Sequence, residues 1–286
     1  FIAPQAHLAK DQPKESLNTR VVTFGDIQPR KLIPPIFQFR LLKKVRDSKP
    51  DLILYLGDHT MHGINPFQWR WFYHIHGKLI RNVPILGIPG NHDLKIDKQN
   101  KNLIGENAYR TYVNYPNNKR SYGIHIYGLH VIAFDWGKSF NLRSQQYDFL
   151  KTQLNPYIER DDKVEKNDTE WLICMWHSSP YNTVRKNNNV LDMIHNIVPL
   201  VRKAGGKLWL GGHEHSYQHF VVDRVHYITS GATSSFHKHW INIKYMRKLV
   251  MKMHFVLLDI KRKKISVKAI SCRGNIIDSF IINQDR

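Results

Sequence analysis

The sequence predicts an α/β fold in which two β-sheets pack as a sandwich, with helices on the outside. In the first third of the chain, short apolar runs typical of buried strands alternate with segments that have the apolar spacing of helices. Toward the carboxyl terminus, several strand-like runs follow one another without helices between them. No repeat, linker or low-complexity tract divides the chain. We therefore expect one domain over residues 21–286, preceded by an extension at residues 1–20.

Strand, loop and helix recur in that order in the first third of the chain. Buried strands are predicted at Val21–Phe24, Leu52–Leu56 and Val83–Ile88. Residues 32–47 carry an apolar stripe with cations outside, which predicts a helix. A second helix follows Pro66, and in it Phe67, Trp71 and Ile75 repeat at four-residue spacing. We interpret these three side chains as part of the core and not as a base-stacking surface.

The remaining elements are mostly strands. Helices are predicted at Ser144–Leu154 and Val190–Ala204. Strands are predicted at Tyr122–Tyr127, His130–Phe134, Trp171–Trp176, Lys207–Leu210, Val225–Thr229, Phe255–Ile260, Ile265–Ile270 and Ile276–Ile282. The first two of these strands flank Gly128-Leu129 and indicate a hairpin, and the last four are interpreted as antiparallel.

The chain is strongly basic. It has 43 Lys and Arg against 23 Asp and Glu, a net charge of +20, which attracts phosphorylated substrates, nucleic acid or acidic lipid. The basic residues are scattered, and Lys261–Lys264 is interpreted as a solvated turn, which argues against nucleic acid as the main partner. Trp240–Met253 mixes apolar and basic residues. It is predicted as a helix that packs on the core with a basic outer face, covers the site as a lid, or contacts an anionic membrane.

The two cysteines are too few for a disulfide framework. Cys174 lies inside an apolar run, which indicates a buried free thiol, and a single bridge to Cys272 stays open. The sequence begins at Phe1 and not at Met, and Asn167–Thr169 has the pattern of an N-glycosylation site. We expect a secreted or periplasmic protein, with a cytoplasmic location as the alternative.

Potential metal ligands follow the predicted strands. They are Asp26, Asp58, Asn91, His177, His213 and His215. Open α/β sheets bind their ligands at the carboxyl ends of the strands, so these side chains are expected to converge on one edge. Carboxylate oxygen and neutral imidazole suit Zn, Mn, Fe or Co, and the set contains no cysteine of the kind that holds structural zinc. The pattern predicts a metal site at the carboxyl-terminal edge of the strands.

Five short blocks resemble, in their order and in their strand-end position, the signature of the calcineurin-like metallophosphoesterases. The blocks are Gly25-Asp26, Gly57-Asp58, Gly90-Asn91-His92-Asp93, Trp176-His177 and Gly212-His213-Glu214-His215. The resemblance covers about residues 21–235. Tyr122–His125 followed by Val131–Asp135, together with the turn at Ser178–Tyr181, is similar to the purple acid phosphatase branch of this superfamily.

The resemblance implies a hydrolase of phosphoric esters that holds two metal ions, with Mn, Fe or Zn as the expected metals. The ligands that it implies are Asp58 between the two ions, Asp26 and His215 on one ion, and Asn91, His177 and His213 on the other. A hydroxide held between the ions would be the nucleophile, because metal binding lowers the pKa of water. His92 would protonate the leaving alkoxide, and Asp93 would hold the ring of His92.

Three positions depart from the family's pattern. Gln28 stands where the first block usually has His, and it would ligate weakly through its amide oxygen or leave a water in that place. Met61 replaces the Tyr of the purple acid phosphatases, so no purple colour is expected. Ser178 replaces a second His that often follows the metal His. His59 and His62 lie beside the second block, and either a contribution to the site or a role outside it stays open for each.

The likeness to the acid phosphatases favours a phosphomonoesterase that acts on an anionic phosphorylated small molecule. Gln28 and the positive charge leave phosphodiesters and nucleoside diphosphates open as alternative substrates. An inactive binding protein on the same fold is a further alternative. It is disfavoured because the six strand-end ligands and His92 are all present.

Overall fold

The structure of the chain, a computed structural model, describes residues 17–28, 35–95, 104–114, 116, 119–159, 170–183, 188–231 and 244–284. The strands are β1 (Asn18–Phe24), β2 (Leu52–Tyr55), β3 (Ile85–Gly87), β4 (Tyr122–Ile126), β5 (Leu129–Ala133), β6 (Trp171–Ser178), β7 (Leu208–Gly212), β8 (Tyr217–Val222), β9 (Val225–Ser230), β10 (Met246–Val250), β11 (His254–Lys261), β12 (Lys264–Ser271) and β13 (Ile276–Asn283). The helices are α1 (Pro35–Asp47), α2 (Pro66–Ile80), α3 (Asn91–Leu94), α4 (Glu106–Tyr112), α5 (Gln145–Ile158), α6 (Asn188–Asp192) and α7 (Val198–Lys203), with a π-helical segment at Met193–Ile197. The first part of the predicted extension, at 1–16, and the glycosylation pattern at Asn167–Thr169 lie outside the described residues.

The strands form two mixed sheets. The first has the order β13-β12-β11-β1-β2-β3, and the second has the order β10-β8-β9-β7-β6-β5-β4. In the first sheet β1, β2 and β3 are parallel. In the second sheet β5, β6, β7 and β9 are parallel. Parallel strands bring their carboxyl ends to one edge of a sheet, and the two sheets with their flanking helices confirm the predicted α/β sandwich.

Apolar side chains fill two cores. The larger core includes residues of both sheets and of α1 and α2, among them Val22 of β1, Leu41 of α1 and Ile173 of β6. The other lies between the second sheet and its helices and includes Cys174 of β6 and Leu150 of α5. Successive side chains of a strand point to opposite faces, so β6 contributes to both cores. Cys174 is buried and free, as predicted, and Cys272 is also free, so no bridge joins them.

The predicted strands are present, with shifted ends. β1 begins at Asn18, so the end of the predicted extension at residues 1–20 belongs to the sheet, where Arg20 pairs with Asp259 of β11. β6 runs on through His177, which therefore lies within the strand. The exposed turn at Lys261–Lys264 joins β11 and β12 as predicted. β11, β12 and β13 are antiparallel as predicted, whereas β9 is parallel to β7 and is antiparallel to β8, a strand that was not predicted.

The face of α2 that lies in the core differs from the predicted face. Phe67 is 72% exposed and Trp71 is 38% exposed, so their predicted core positions are wrong, while Ile75 is buried as predicted. The buried face includes Trp69, Phe72, Ile75, His76 and Leu79. Successive residues of a helix are turned by about 100°, which places Phe67 and Trp71 on the solvent side. Ile75 lies at the margin between the two faces, and this position explains the misleading four-residue spacing.

The segment at Trp240–Met253 is not helical where the structure describes it. Its first residues, 240–243, lie outside the described residues, and Met246–Val250 form β10. β10 pairs with β8 at the edge of the second sheet, so the predicted helix is wrong for this part. A half-buried edge strand mixes apolar side chains with lysines as an amphipathic helix does. The composition of this segment therefore did not distinguish an amphipathic helix from an edge strand.

The helix predicted at Val190–Ala204 is present but divided. α6, the π-helical segment and α7 follow one another through this range. Pro199 lies in the first turn of α7, and it has no N–H to continue the hydrogen bonds of the preceding turn, which accounts for the change in helix type. In the part of the chain that the structure describes, no helix has the length and apolarity needed to cross a bilayer.

Candidate metal centre

The loops after β1 and β2 place two carboxylates side by side. Asp26 and Asp58 are both buried. Their backbones lie in the left-handed region, with φ of 57° and 55°, a conformation that is costly for residues other than glycine. The Asp26 N–H donates to the Gly57 carbonyl at 3.0 Å, and the Gln28 N–H donates to the Asp58 carbonyl at 3.1 Å. These hydrogen bonds join the two loops and hold both carboxylates at one place.

Histidines from the second sheet approach these carboxylates. His215 Nε2 lies 3.1 Å from Asp26 Oδ1, and His177 Nε2 lies 3.4 Å from Asp58 Oδ1. The His213 N–H donates to Asp26 Oδ2 at 2.8 Å. The ligand atoms of Asp26, Asp58 and His215 all lie within 4.8 Å of one another. Side chains from both sheets therefore meet at the edge where the parallel strands end.

Asn91 completes this group between two of the histidines. Its Oδ1 lies 3.1 Å from His177 Nε2 and 2.9 Å from His213 Nδ1. Asn91 is the first residue of α3, in the chain that leaves β3. The structure thus brings the six strand-end candidates into one cluster, which we call the metal cluster: Asp26, Asp58, Asn91, His177, His213 and His215.

The remaining predicted ligand, Gln28, is buried beside Asp58. Its Nε2 donates to Asp58 Oδ2 at 3.4 Å. Its Oε1 has no hydrogen-bond partner among the described residues. A buried acceptor without a partner is costly, and a cation or a water would satisfy it. The loop that carries Gln28 is held by α1, where Gln38 Nε2 donates to the Ile27 carbonyl at 3.3 Å.

The donor atoms of the metal cluster suit metal ions. Burial raises the pKa of Asp26 well above its ordinary value, and the charge of Asp58 also raises it, against the opposing effect of His177. A bound cation would favour the ionised carboxylates. Gly90 leaves the necessary room, because a Cβ at this position would overlap the Asp58 carboxylate. Carboxylate, amide and imidazole donors without cysteine fit Zn, Mn or Fe.

The charge of His177 depends on its neighbours. Burial lowers the pKa of His177, but the carboxylate of Asp58 outweighs burial, and the pKa is raised to about 9. Burial also raises the pKa of Asp58, yet the charges of His177 and His92 hold it below its usual range. Histidine ligates a metal only in its neutral form, so a metal that binds here displaces the proton of His177.

His92 lies at the accessible side of the metal cluster. Its backbone N–H donates to Asp58 Oδ1 at 2.9 Å, and its ring Nε2 lies 4.0 Å from Asp58 Oδ2. Its ring Nδ1 lies 3.1 Å from the carbonyl oxygen of Met61. Because a carbonyl only accepts, this contact assigns the proton to Nδ1 and leaves Nε2 facing the cluster. The side chain is 30% exposed, which makes it accessible to a substrate.

Asp93 does not hold the ring of His92, so the predicted contact between them is wrong. Adjacent residues of a helix point in different directions, and the ring of His92 is held by a backbone carbonyl instead. The buried Asp93 carboxylate accepts hydrogen bonds from the Gly90 N–H and from the N–H and hydroxyl of Thr60. It also lies 3.0 Å from His59 Nδ1. Asp93 and His59 therefore fix the loop before α3 from inside the protein.

Trp136 forms one side of the site and was not predicted from the sequence. The ring of Trp136 lies 5.2 Å from the ring of His177 and 5.1 Å from the ring of His213. Its signal in the sequence is its place just after β5, at the edge where the ligands gather. Glu214 is also buried here, and burial raises its pKa to about 7. His62, in contrast, is exposed.

Residues 19–217 match the family of calcineurin-like phosphoesterases, and the chain belongs to this family. Purple acid phosphatase 15 of Arabidopsis thaliana is 23% identical to this chain over 203 residues, which cover 60% of this chain and 36% of that protein. The chain thus spans less than half the length of this curated relative. This similarity confirms the predicted likeness to the purple acid phosphatase branch.

Solved structures share the fold. The purple acid phosphatase PPD1 from yellow lupin (Lupinus luteus) has a TM-score of 0.77 at 18% identity, over 96% of this chain and 55% of that chain. GAP50, the anchor in the inner membrane complex of Plasmodium, has a TM-score of 0.67 at 15% identity, over 94% of this chain and 90% of that chain. At these identities the comparisons establish the shared fold alone.

Proposed function

We propose that this chain hydrolyses phosphoric monoesters at a centre of two metal ions. The observation that carries the proposal is the buried cluster in which ligand atoms of Asp26, Asp58 and His215 lie within 4.8 Å of one another. Membership of the calcineurin-like phosphoesterases and similarity to a purple acid phosphatase support the reaction class. The net charge of +20 supports an anionic substrate.

Each ion would take ligands from both sheets. The proposed ligands are Asp58 between the ions, Asp26, His215 and the amide oxygen of Gln28 on one ion, and Asn91, His177 and His213 on the other. When bound, two Mn, Fe or Zn ions lower the pKa of water and neutralise charge on the phosphate. Met61 supplies no tyrosinate, so we expect the iron-loaded protein to lack a purple colour, which an absorption spectrum would check.

His92 is the proposed acid for the leaving group. The Met61 carbonyl accepts from Nδ1 and fixes the ring, so that Nε2, when the ring carries a second proton as an imidazolium, would give that proton to the leaving alkoxide. The hydrogen bond from the His92 backbone to Asp58 fixes the same residue at a second point. Proton transfer from a positioned side chain contributes about 10²- to 10⁴-fold to a rate.

Trp136 is proposed as a positioning residue. Its ring lies against the imidazoles of His177 and His213 and limits how they can turn. Groups that fix the orientation of a metal-binding imidazole strengthen metal binding and activity. Trp136 is not expected to contact the reacting atoms.

Hydrolysis of p-nitrophenyl phosphate and of bis(p-nitrophenyl) phosphate tests the proposal. Protein loaded in turn with Mn, Zn, Fe and Mg is expected to cleave the monoester faster than the diester. His92→Ala should lower kcat by about 10²- to 10⁴-fold while the metal content stays the same, and Asp58→Ala should lose the metal. His62→Ala, at an exposed histidine, is the control.

The other outcomes assign other functions. Faster cleavage of the bis ester would make the chain a phosphodiesterase. Protein that binds the metals but cleaves neither ester would be a binding protein on this fold. Gln28 stands where the family's pattern usually has His, and this departure makes nucleoside diphosphates the second substrate class to test. Phosphate release from ADP, measured for wild type and Gln28→His, tests that class, and equal ADP activity of the two proteins would exclude a role for Gln28.

A further inference from the structure

The side of the protein that carries the metal cluster also has exposed apolar side chains. They are Ile36 and Phe39 on α1, and Ile64, Phe67 and Trp71 at the beginning of α2. Single exposed apolar residues are ordinary, but these five lie at the beginnings of two helices that contact each other. We call these five side chains, together with the exposed cations Arg40 and Arg70, the aromatic–basic surface.

Both helices begin beside the metal cluster. β1 and β2 are parallel, and α1 and α2 follow them, so both helices start at the edge where the ligands lie. Gln38 of α1 donates to the backbone of the first ligand loop. The loop before α2 contacts His92 twice, through the Met61 carbonyl and through the Gly63 N–H, which donates to the His92 carbonyl at 3.0 Å. The aromatic–basic surface is therefore connected directly to the site.

The solvent face of α2 combines aromatic rings with cations. After Pro66, its exposed positions are Phe67, Arg70, Trp71, His74 and Lys78. The Arg70 guanidinium lies 5.6 Å from the centre of the Phe67 ring, and Trp71 stacks on His74 at 5.9 Å. α2 contains no acidic residue, and α1 contains none before Asp47 at its end. This face thus presents apolar and positive groups without carboxylates among them.

We propose that the aromatic–basic surface docks the chain on an anionic lipid bilayer, with the metal cluster turned toward the lipid headgroups. Aromatic side chains of an interfacial helix insert at the level of the headgroups, and neighbouring cations attract anionic lipid. Charge favours lipid over a second copy of this chain, because each copy carries +20 and would present cations to cations. The docking goes beyond the proposed hydrolysis and does not require it.

Co-sedimentation with vesicles tests this inference. The full chain is mixed with vesicles of phosphatidylcholine that contain phosphatidylserine, and with vesicles of phosphatidylcholine alone. We expect binding to the anionic vesicles, weakened by salt. The double variant Phe67→Ser/Trp71→Ser should bind about tenfold more weakly or worse, because two apolar side chains no longer insert. Arg70→Glu should also weaken binding, by about tenfold.

Exposed apolar residues of β13, the outermost strand of the first sheet, provide a matched control. Ile276→Ser/Ile281→Ser removes two side chains of β13 that are 58% and 54% exposed, and its vesicle binding should equal that of the wild type. Thermal unfolding checks that both double variants are folded. Hydrolysis of soluble p-nitrophenyl phosphate should be unchanged in Phe67→Ser/Trp71→Ser, so a failure of docking and a failure of the proposed function are separate results.

Three outcomes would overturn the inference. One is a wild-type chain that fails to bind anionic vesicles, or binds neutral vesicles equally well. The second is equal binding by the wild type and by Phe67→Ser/Trp71→Ser. The third is self-association of the wild type, measured by light scattering, that this double variant abolishes, since it would assign the surface to a second copy of the chain.

Discussion

At the scale of single residues, the metal cluster depends on strained backbone. Asp26, Asp58 and His213 have φ of 57°, 55° and 67°, and each such position costs about 1 kcal/mol or more outside glycine. This conformation allows the chain to turn sharply within a few residues of the ends of β1, β2 and β7. Hydrogen bonds between neighbouring loops, such as that from Asp26 to Gly57, offset the strain.

Gly90→Ala is expected to remove the metal ions. The added Cβ would overlap the Asp58 carboxylate, so Asp58 must move, and we expect the free energy of unfolding to fall by about 1–3 kcal/mol. Metal analysis and thermal unfolding measure both effects. Gly77→Ala in α2 is the control, because its Cβ would meet only the end of the flexible Arg81 side chain at 3.2 Å. Full metal content in Gly90→Ala would contradict the proposed role of Asp58.

Asp93→Asn is expected to destabilise the protein through the loop before α3. The buried carboxylate accepts hydrogen bonds from Gly90 and Thr60, and an amide would turn an NH₂ group toward one of these donors. We expect a loss of about 2–4 kcal/mol in the free energy of unfolding, measured by urea denaturation. Asp47→Asn, at an exposed ion pair with Lys43, should cost much less, because solvent screens an exposed ion pair. Equal effects of the two substitutions would show that Asp93 has no special structural role.

At the scale of elements, the end of β9 and the beginning of β11 join the two sheets next to the metal cluster. Ser230 ends β9, and its carbonyl accepts from the Gly25 N–H at 2.8 Å. The Ser230 hydroxyl lies 3.1 Å from Nε2 of the buried His254, which begins β11. Nδ1 of His254 lies 2.8 Å from the Lys252 carbonyl. Because a carbonyl only accepts, Nδ1 of His254 carries the ring proton and donates to Lys252, and Nε2 of the neutral ring accepts from the Ser230 hydroxyl.

The neutral His254 should make the fold sensitive to acid. Burial lowers the pKa of His254 to about 4, below the value of the unfolded chain, which is near 6.5. As the pH falls from about 6.5 to about 4, the unfolded state binds a proton that the folded state does not, so stability is lost in this window. The loss is about 3 kcal/mol.

Urea denaturation of metal-free protein at pH 7 and pH 4 measures this effect. His254→Gln should lose less stability than the wild type between these two values. His74→Gln, at an exposed histidine of α2, should behave as the wild type does. An unchanged pH dependence in His254→Gln would show that this histidine is not the group that titrates.

At the scale of the whole molecule, the metal cluster joins the two sheets. Asp26 and Asp58 come from the first sheet, and His177, His213 and His215 come from β6 and from the chain just after β7 in the second sheet. Two buried carboxylates close together repel each other unless positive charge lies between them. Bound metal ions should therefore hold the sandwich together at this edge.

Removal of metal by a chelator is expected to lower the melting temperature. A ligand present at about a thousand times its Kd stabilises a fold by about 4 kcal/mol, which corresponds to roughly 5–15 °C here. Calorimetry with and without chelator, followed by return of Mn or Zn, measures the shift and its reversal. Asp58→Asn should show no effect of the chelator. If the chelator left the melting temperature of the wild type unchanged, this result would contradict a metal centre between the sheets.

The sequence predicted the strands and the site well, because both leave local signals. A buried strand is a short apolar run, and Asp26, Asp58 and His177 each stand at or near the end of such a run. The predictions from the sequence were wrong where a local structure depends on its contacts with an element far away in the chain. Phe67 and Trp71 have the spacing of core residues, and only the position of α2 on the sheet exposes them. For the same reason β10, which pairs with β8, was mistaken for a helix.

The sequence by itself determined the fold class, the family and the six strand-end candidates. The reason is that each apolar strand and the polar residue at or after its end are neighbours in the sequence. Only the tertiary structure decided which groups touch. The ring of His92 contacts the Met61 carbonyl, and the Asp93 carboxylate contacts the ring of His59. The ring of Trp136 contacts the ring of His177. The physical reason is that hydrogen bonds and ring contacts join residues far apart in the chain, and their geometry is fixed only when the two sheets pack together.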